Sequence, residues 1–142
     1  MLNTIYYDGK VAIEALKSAD NETLTGTGVD MSGYDVVEFI VGALEGEALS
    51  FSIKAQQAAV SDFSDAADLA GTAKAFATTL SAKGLAVLSI VKPQERYVRP
   101  VITVPNAASA TPTFCVSVRH TARVSPQTNT GELHVGPDEG TA

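Results

Sequence analysis

The stretch Leu49-Ser50-Phe51-Ser52-Ile53-Lys54-Ala55 decides the fold class of this chain. Apolar and polar residues alternate at every step, and a period of two is typical of a β-strand with one buried and one wet face. Upstream, residues 35–41 are rich in β-branched and aromatic side chains, which favours a buried strand. Two glycines lie in the link between these segments, so the sequence predicts that the two strands form a hairpin.

A second pair of strands is predicted further along the chain. Residues 85–91 are apolar on both faces, a pattern that favours a central strand. After a turn at Lys92-Pro93, residues 96–104 place Val98, Ile102 and Val104 on one face and mostly polar side chains on the other. Pro100 lacks a backbone N–H, so we expect it at an edge or a bulge.

The last clear strand covers residues 113–119. Phe114, Val116 and Val118 alternate there with Cys115, Ser117 and Arg119. The alternation predicts that the first set faces the core and that the second set lies on the wetter side.

Shorter segments complete the pattern. Residues 28–31 and 73–78 are candidates for short strands, and residues 4–7 and 10–14 flank Asp8-Gly9, a hairpin-type dipeptide. Helix is favoured only over residues 11–18 and for one turn at residues 64–69.

These segments together predict an all-β fold: a single-domain antiparallel β-sandwich, jelly-roll-like or barrel-like, with little helix and extended termini. A chain of 142 residues agrees with one domain that has a real core. We expect the β-sandwich domain over residues 1–123, with residues 1–10 as a candidate arm. Residues 124–142 are mostly polar with Gly and Pro, and we expect an extended C-terminal tail there.

Charge and cysteine content limit the partners. The net charge of −6 disfavours a nucleic-acid binder with a broad basic field. The charge is uneven, because residues 1–82 hold twelve acids and four bases whereas residues 83–142 hold six bases and four acids. One Cys excludes an internal disulfide framework and favours intracellular assembly. We find no signal peptide or membrane-spanning run, so we do not expect a membrane as a partner. Because of the acidic net charge, we do not expect nucleic acid as a partner either.

Residues with catalytic or metal-binding chemistry are sparse. His120 and His134 have no second His at helical spacing, and no phosphate-binding loop or serine elbow is present. Asp62, Asp65 and Asp68 fall three apart and could bind a hard cation, although a solvated acidic loop is the favoured reading. Cys115 is interpreted as a small buried filler. We therefore predict no catalytic residue, no metal and no cofactor, and a protein that is not an enzyme.

Arginine and tyrosine residues are the candidates for a protein interface, because both types are enriched at energetically dominant interface positions. Several arginines come from strands or strand ends, and a patch of them could dock on an acidic protein surface, including the acidic half of another copy. Ordinary solvation with local ion pairs remains the alternative. The candidate interface residues are Tyr6, Tyr7, Arg96, Tyr97, Arg99, Arg119 and Arg123.

Three segments carry a resemblance to a known class of proteins. They are residues 29–37 (VDMSGYDVV), the stretch from Ser52 to Thr72 that includes FSDAADLAGT, and residues 92–103 (KPQERYVRPVIT). Their order resembles small structural proteins encoded among the head and tail genes of tailed bacteriophages, and most of all capsid decoration, or cement, proteins. The resemblance covers roughly residues 29–104.

The resemblance implies a non-enzymatic virion protein that binds the outside of an assembled head and stabilises it. Its implied partners are the major capsid protein and further copies of itself, as a homotrimer. Its implied location is the capsid surface of the virion, after assembly in the host cytoplasm. Two alternatives stay open. One is a neck or tail component, such as a tail tube or terminator subunit. The other is a ligand-binding β-sandwich module, against which the absence of Trp argues.

Overall fold

A computed structural model gives the structure of the chain and describes residues 8–14, 16–19, 23–42, 49–80, 85–104 and 114–122. The regular structure of these residues consists of strands. In chain order they are β1 (Lys10–Ile13), β2 (Leu16–Ala19), β3 (Thr23–Gly26), β4 (Val29–Asp30), β5 (Tyr34–Gly42), β6 (Leu49–Ala58), β7 (Ala67–Asp68), β8 (Lys74–Leu80), β9 (Leu85–Val91), β10 (Tyr97–Thr103) and β11 (Phe114–Ala122).

The strands form two antiparallel sheets that pack face to face. The four-stranded sheet has the order β1-β11-β5-β9. The larger sheet has the order β2-β3-β10-β6-β7, with β4 also paired to β10 and β8 also paired to β6. This arrangement confirms the predicted all-β antiparallel sandwich.

The core lies between the inner faces of the two sheets. From the four-stranded sheet, β5 contributes Val37, Phe39 and Val41, all fully buried. From the larger sheet, Ile102 of β10 stands in register with Ile53 of β6, and both side chains are buried. Burial of one such side chain stabilises the fold by roughly 1.5–3 kcal/mol, so these alternating residues hold the two sheets together.

The predicted hairpin is wrong, because β5 belongs to the four-stranded sheet and β6 to the larger one. The second predicted pair of strands, β9 and β10, is divided between the two sheets in the same way. Each connection therefore carries the chain from one sheet to the other, across a core about 10 Å thick. Alternation along one segment identifies a strand, but its pairing partner is chosen by long-range packing.

The two helix predictions are also wrong. Residues 11–18 hold β1 and β2, and residues 64–69 hold a turn followed by β7. Strand pairing with β11 and β3 overrides the weak helix propensity of the first segment. The short strands expected at residues 28–31 and 73–78 are present as β4 and β8. Residues 4–7 and the tail at 124–142 lie outside the described residues.

Two further corrections concern the four-stranded sheet. β9 is an edge strand, since among the described residues it pairs only with β5. In β11 the faces are reversed, because Cys115 and Ser117 are buried against the core. Val116 and Val118 lie on the opposite face, where Val116 is half-buried and Val118 is buried. The sequence did not distinguish the faces because this sheet is apolar on both sides.

Pro100 lies inside the central strand β10, which tolerates it because the neighbouring strand is interrupted at this position. The partner on one side changes from β3 to β4 at this position, and the chain passes through Gly26, Thr27 and Gly28 there. A Cβ on Gly26 would lie 2.6 Å from Pro100 Cδ. The missing N–H thus falls at an interruption of the ladder, in agreement with the expected bulge.

The break at Gly28 gives a test of this packing. Gly28 has φ +92° and the ring of Phe63 occupies the space of a Cβ, whereas Gly33 has φ +86° and nothing within 4 Å. We expect Gly28→Ala to lower the free energy of unfolding by about 2–4 kcal/mol, from backbone strain plus steric conflict. Gly33→Ala should cost only about 1 kcal/mol. Urea unfolding of both variants measures the difference, and equal losses would contradict the packing of Phe63 on Gly28.

Candidate interaction surface

Three of the candidate interface residues lie together on the outer face of the larger sheet. Tyr97 and Arg99 point outward from β10, and Arg96 precedes them. The loop that follows β6 folds back over this face and presses Phe63, 8% exposed, against them. The guanidinium of Arg99 lies 4.7 Å from the Phe63 ring centroid, and the Tyr97 ring meets Phe63 edge-on at 6.4 Å. These residues form one strip of stacked cations and aromatic rings.

The arginines of this strip are engaged within the chain. Arg96 donates two hydrogen bonds to the Asp30 carboxylate, at 2.9 and 2.7 Å. Arg99 donates two to Gln56 Oε1, at 3.0 and 2.8 Å. The hydrogen bonds from Arg96 lower the pKa of Asp30. These contacts fit the alternative of local pairing, and an exposed ion pair such as Arg96–Asp30 adds little to stability because water screens it. The interface role of the strip stays a prediction.

Arg119 lies apart from this strip, at the rim between the two sheets. Its Nη1 donates to the backbone carbonyl of Asp30 at 2.7 Å, and its guanidinium stacks 5.1 Å from the Tyr34 ring centroid. Asp30, which also binds Arg96, thus connects Arg119 to the strip. The other candidates, Tyr6, Tyr7 and Arg123, lie outside the described residues.

Beside Arg119 the sandwich encloses a carboxyl group that the sequence did not single out. Glu14 is 3% exposed, and its carboxylate accepts a hydrogen bond from Gly28 N–H. Burial raises the pKa of Glu14, while Gly28 N–H and Arg119 oppose the rise. Burial and the nearby Glu14 also raise the pKa of Cys115 to about 12. At neutral pH the thiol is protonated, so Cys115 is a packing residue and no nucleophile.

The acidic residues that could have bound a cation have other partners. Asp62 accepts a hydrogen bond from Ser64 N–H at 2.9 Å, and Asp65 accepts one from Ala59 N–H at 3.0 Å. Asp68 pairs with Lys54 at 2.7 Å. Each carboxylate is thus bound by a backbone N–H or a lysine of the chain itself. In the described ranges, no group of three or more His, Cys, Asp or Glu residues could hold a metal ion. These contacts favour the interpretation of the three aspartates as part of a solvated acidic segment.

Large exposed apolar residues concentrate on the outer face of the four-stranded sheet. We call this surface the apolar face. β1 contributes Val11 and Ile13, the latter 83% exposed. β9 contributes Leu85, Val87 and Val91, which are 58, 52 and 66% exposed. In the register of the sheet, half-buried Ile40 and Val116 lie between these two edge strands. The register row of Ile13, Val116, Ile40 and Val87 is apolar from one edge of the sheet to the other.

A small polar cluster interrupts the apolar face. Ser89 Oγ donates to Glu38 Oε1 at 3.0 Å, and His120 Nε2 lies 3.3 Å from Glu38 Oε2. A nucleophilic triad requires the histidine to contact the serine, whereas here the carboxylate stands between the two. The cluster therefore provides polar partners for the Glu38 carboxylate on an otherwise apolar face. Sequence reasoning missed it because the three residues come from strands whose pairing was not predicted; a Glu inside an apolar strand was the available signal.

Comparison with known protein families, curated proteins and solved structures finds no match. In the part of the chain that the structure describes, no helix has the length and apolar character needed to cross a membrane. The most extensive surface feature of the described residues is the apolar face.

The buried Glu14 predicts a pH dependence of stability. Because its folded pKa is raised above the ordinary value of 4.5, the folded state binds a proton that the unfolded state has lost. This contribution is fully present below pH 4.5 and is lost as the pH rises through the folded pKa. We expect Glu14→Gln to flatten the fall in unfolding free energy above that pH, as measured by urea unfolding at successive pH values. Glu95→Gln, at an exposed site, serves as the control; an unchanged slope in Glu14→Gln would contradict the assignment.

Proposed function

We propose that this chain is a non-enzymatic structural protein that docks on other proteins of an assembled particle through its apolar face. More specifically, we propose a capsid decoration protein of a tailed bacteriophage, which binds the outside of the head and stabilises it. The apolar face is the observation that carries the docking role. The sequence resemblance over residues 29–104 supplies the class of particle.

The energetics of the apolar face favour docking. Contiguous apolar patches on soluble proteins mark interaction sites, since leaving them in water costs free energy. Covering them recovers roughly 25 cal/mol for each Å² removed from water. Ile13 at one edge and Val91 and Leu85 at the other are the most accessible contributors. A face of this kind suits broad, shallow contact with a protein surface.

The polar cluster makes the same face compatible with burial. An unpaired carboxylate would oppose docking, because desolvation of a lone charge is expensive. Glu38 instead meets both Ser89 and His120. Docking therefore covers a carboxylate that already has partners from the neighbouring strands.

The proposed partners follow from this role. The major capsid protein is the primary partner, further copies of the chain are the second, and the working location is the capsid surface after assembly in the host cytoplasm. Many identical contacts on one shell add by multivalency, so each contact can be weak. The homotrimer implied by the resemblance stays a prediction.

A binding assay with matched variants tests the proposal. Mature heads of the phage that encodes the chain, stripped of it, are mixed with purified protein, and bound copies are counted after sedimentation. We expect Ile13→Glu to weaken binding at least about tenfold, because a charge replaces a buried apolar contact. Val60→Glu changes another exposed apolar residue, 44% exposed and outside both sheets, and should bind like the wild type.

Three outcomes would contradict the proposal. Wild-type protein that leaves the heads unbound and no more heat-stable would remove the decoration role. Labelled protein at a single vertex would indicate a neck or tail component. Equal binding by Ile13→Glu and Val60→Glu would place the contact away from the apolar face.

A further inference from the structure

We infer that β9 is the edge to which a second copy of this chain adds, so that the β9 strands of two copies pair antiparallel about a two-fold axis. The inference rests on the proposed function, in which copies of the chain act together in an assembly. It deepens that proposal by naming the strand, the register and the symmetry of the self-contact.

The backbone of β9 offers a row of groups for a new partner. Lys92 N–H donates to Asp35 C=O at 2.7 Å, next to the register pair of Val91 and Val36. Hydrogen-bonded and non-hydrogen-bonded pairs alternate in an antiparallel ladder. Residues 86, 88 and 90 therefore direct their backbone groups toward β5, and residues 85, 87, 89 and 91 direct theirs away from it. Among the described residues, none pairs with that outer row.

The edge carries none of the usual features that block strand addition. Proteins protect exposed edges with charged side chains, proline, bulges or very short strands. β9 is seven residues long, has the sequence LAVLSIV and pairs with β5 in an unbroken register. It thus has the length and composition of an edge that accepts another strand.

A second copy is the occupant that matches this edge. With Leu88 opposite Leu88 of the second copy, an antiparallel arrangement pairs all seven residues. The odd-numbered residues then form the hydrogen-bonded pairs, Leu85 with Val91 and Val87 with Ser89. Since the strand has no charged residue, no like charges meet across the pair. The same strand supplies both sides, as a two-fold contact requires.

Side chains on both faces agree with this pairing. On the outer face, Leu85 of one copy lies beside Val91 of the other, so two exposed apolar residues cover each other. On the inner face, the two Leu88 side chains meet, and Ala86 faces Ile90. Pairing therefore joins the two four-stranded sheets into one eight-stranded sheet and makes a single, larger apolar face from two.

The symmetry has a consequence for the number of copies. A two-fold contact of a strand with itself closes with two copies. We therefore expect a dimer in solution, in contrast to the trimer that the resemblance implies.

Self-association is tested without any particle. Sedimentation equilibrium of the wild type up to about 1 mM should show a monomer–dimer equilibrium, a range that includes weak edge contacts. Val87→Pro removes one outward N–H and leaves the ladder to β5 intact, so we expect dimerisation to weaken at least about tenfold. Val60→Glu, at an exposed site outside both sheets, should stay within about twofold of the wild type.

Amide hydrogen exchange gives a second readout that does not depend on a variant folding. We expect the amides of Leu85, Val87, Ser89 and Val91 to gain protection as the protein concentration rises, while Val98 in the central strand β10 stays unchanged. A monomer throughout, a trimer, a dimer insensitive to Val87→Pro, or edge amides without concentration dependence would each overturn the inference. If the protein binds heads but forms no dimer, only this inference is wrong. If it forms the dimer but binds no heads, only the proposed function is wrong.

Discussion

The structure depends on the burial of Val37, Phe39 and Val41 of β5 against the inner face of the larger sheet. This packing fixes which face of the four-stranded sheet is internal, because side chains alternate along a strand. The opposite face, which also carries apolar side chains from all four strands, then lies outside the core. A sheet with two apolar faces and one covered by its own chain has a second face available for another protein.

The sequence predicted the fold class and the larger sheet better than the four-stranded sheet, and the reason is physical. β6 and β10 have polar outer faces, so alternation identified the inward residues Ile53, Val98 and Ile102. β9 is apolar at both sets of positions and was interpreted as a central strand. In β11 the outward Val116 was assigned to the core in place of Cys115. Both errors concern the same outer face, where apolar residues typical of a core are exposed or half-buried.

The candidate site was predicted only in part. Arg96, Tyr97 and Arg99 do lie together, but Arg119 lies apart from them because β10 and β11 belong to different sheets. The partners Asp30, Gln56 and Phe63 come from distant segments. Tertiary pairing brings these residues together, and no local pattern announces it. Glu14 and the polar cluster of Ser89, Glu38 and His120 were missed for the same reason. A buried or sheet-bound polar residue becomes recognisable only when its neighbours across the sheet are known.

In the proposed function the apolar face, and not the arginine strip, contacts the particle. Hydroxyl-radical footprinting of the protein, free and bound to heads, tests this directly by the oxidation rates of individual side chains. We expect Ile13 and Leu85 to become protected on binding, while Tyr97 and Phe63 on the other side of the sandwich keep their oxidation rates. Protection of Tyr97 with unchanged oxidation of Ile13 and Leu85 would instead place the contact on the arginine strip and overturn the proposed docking face.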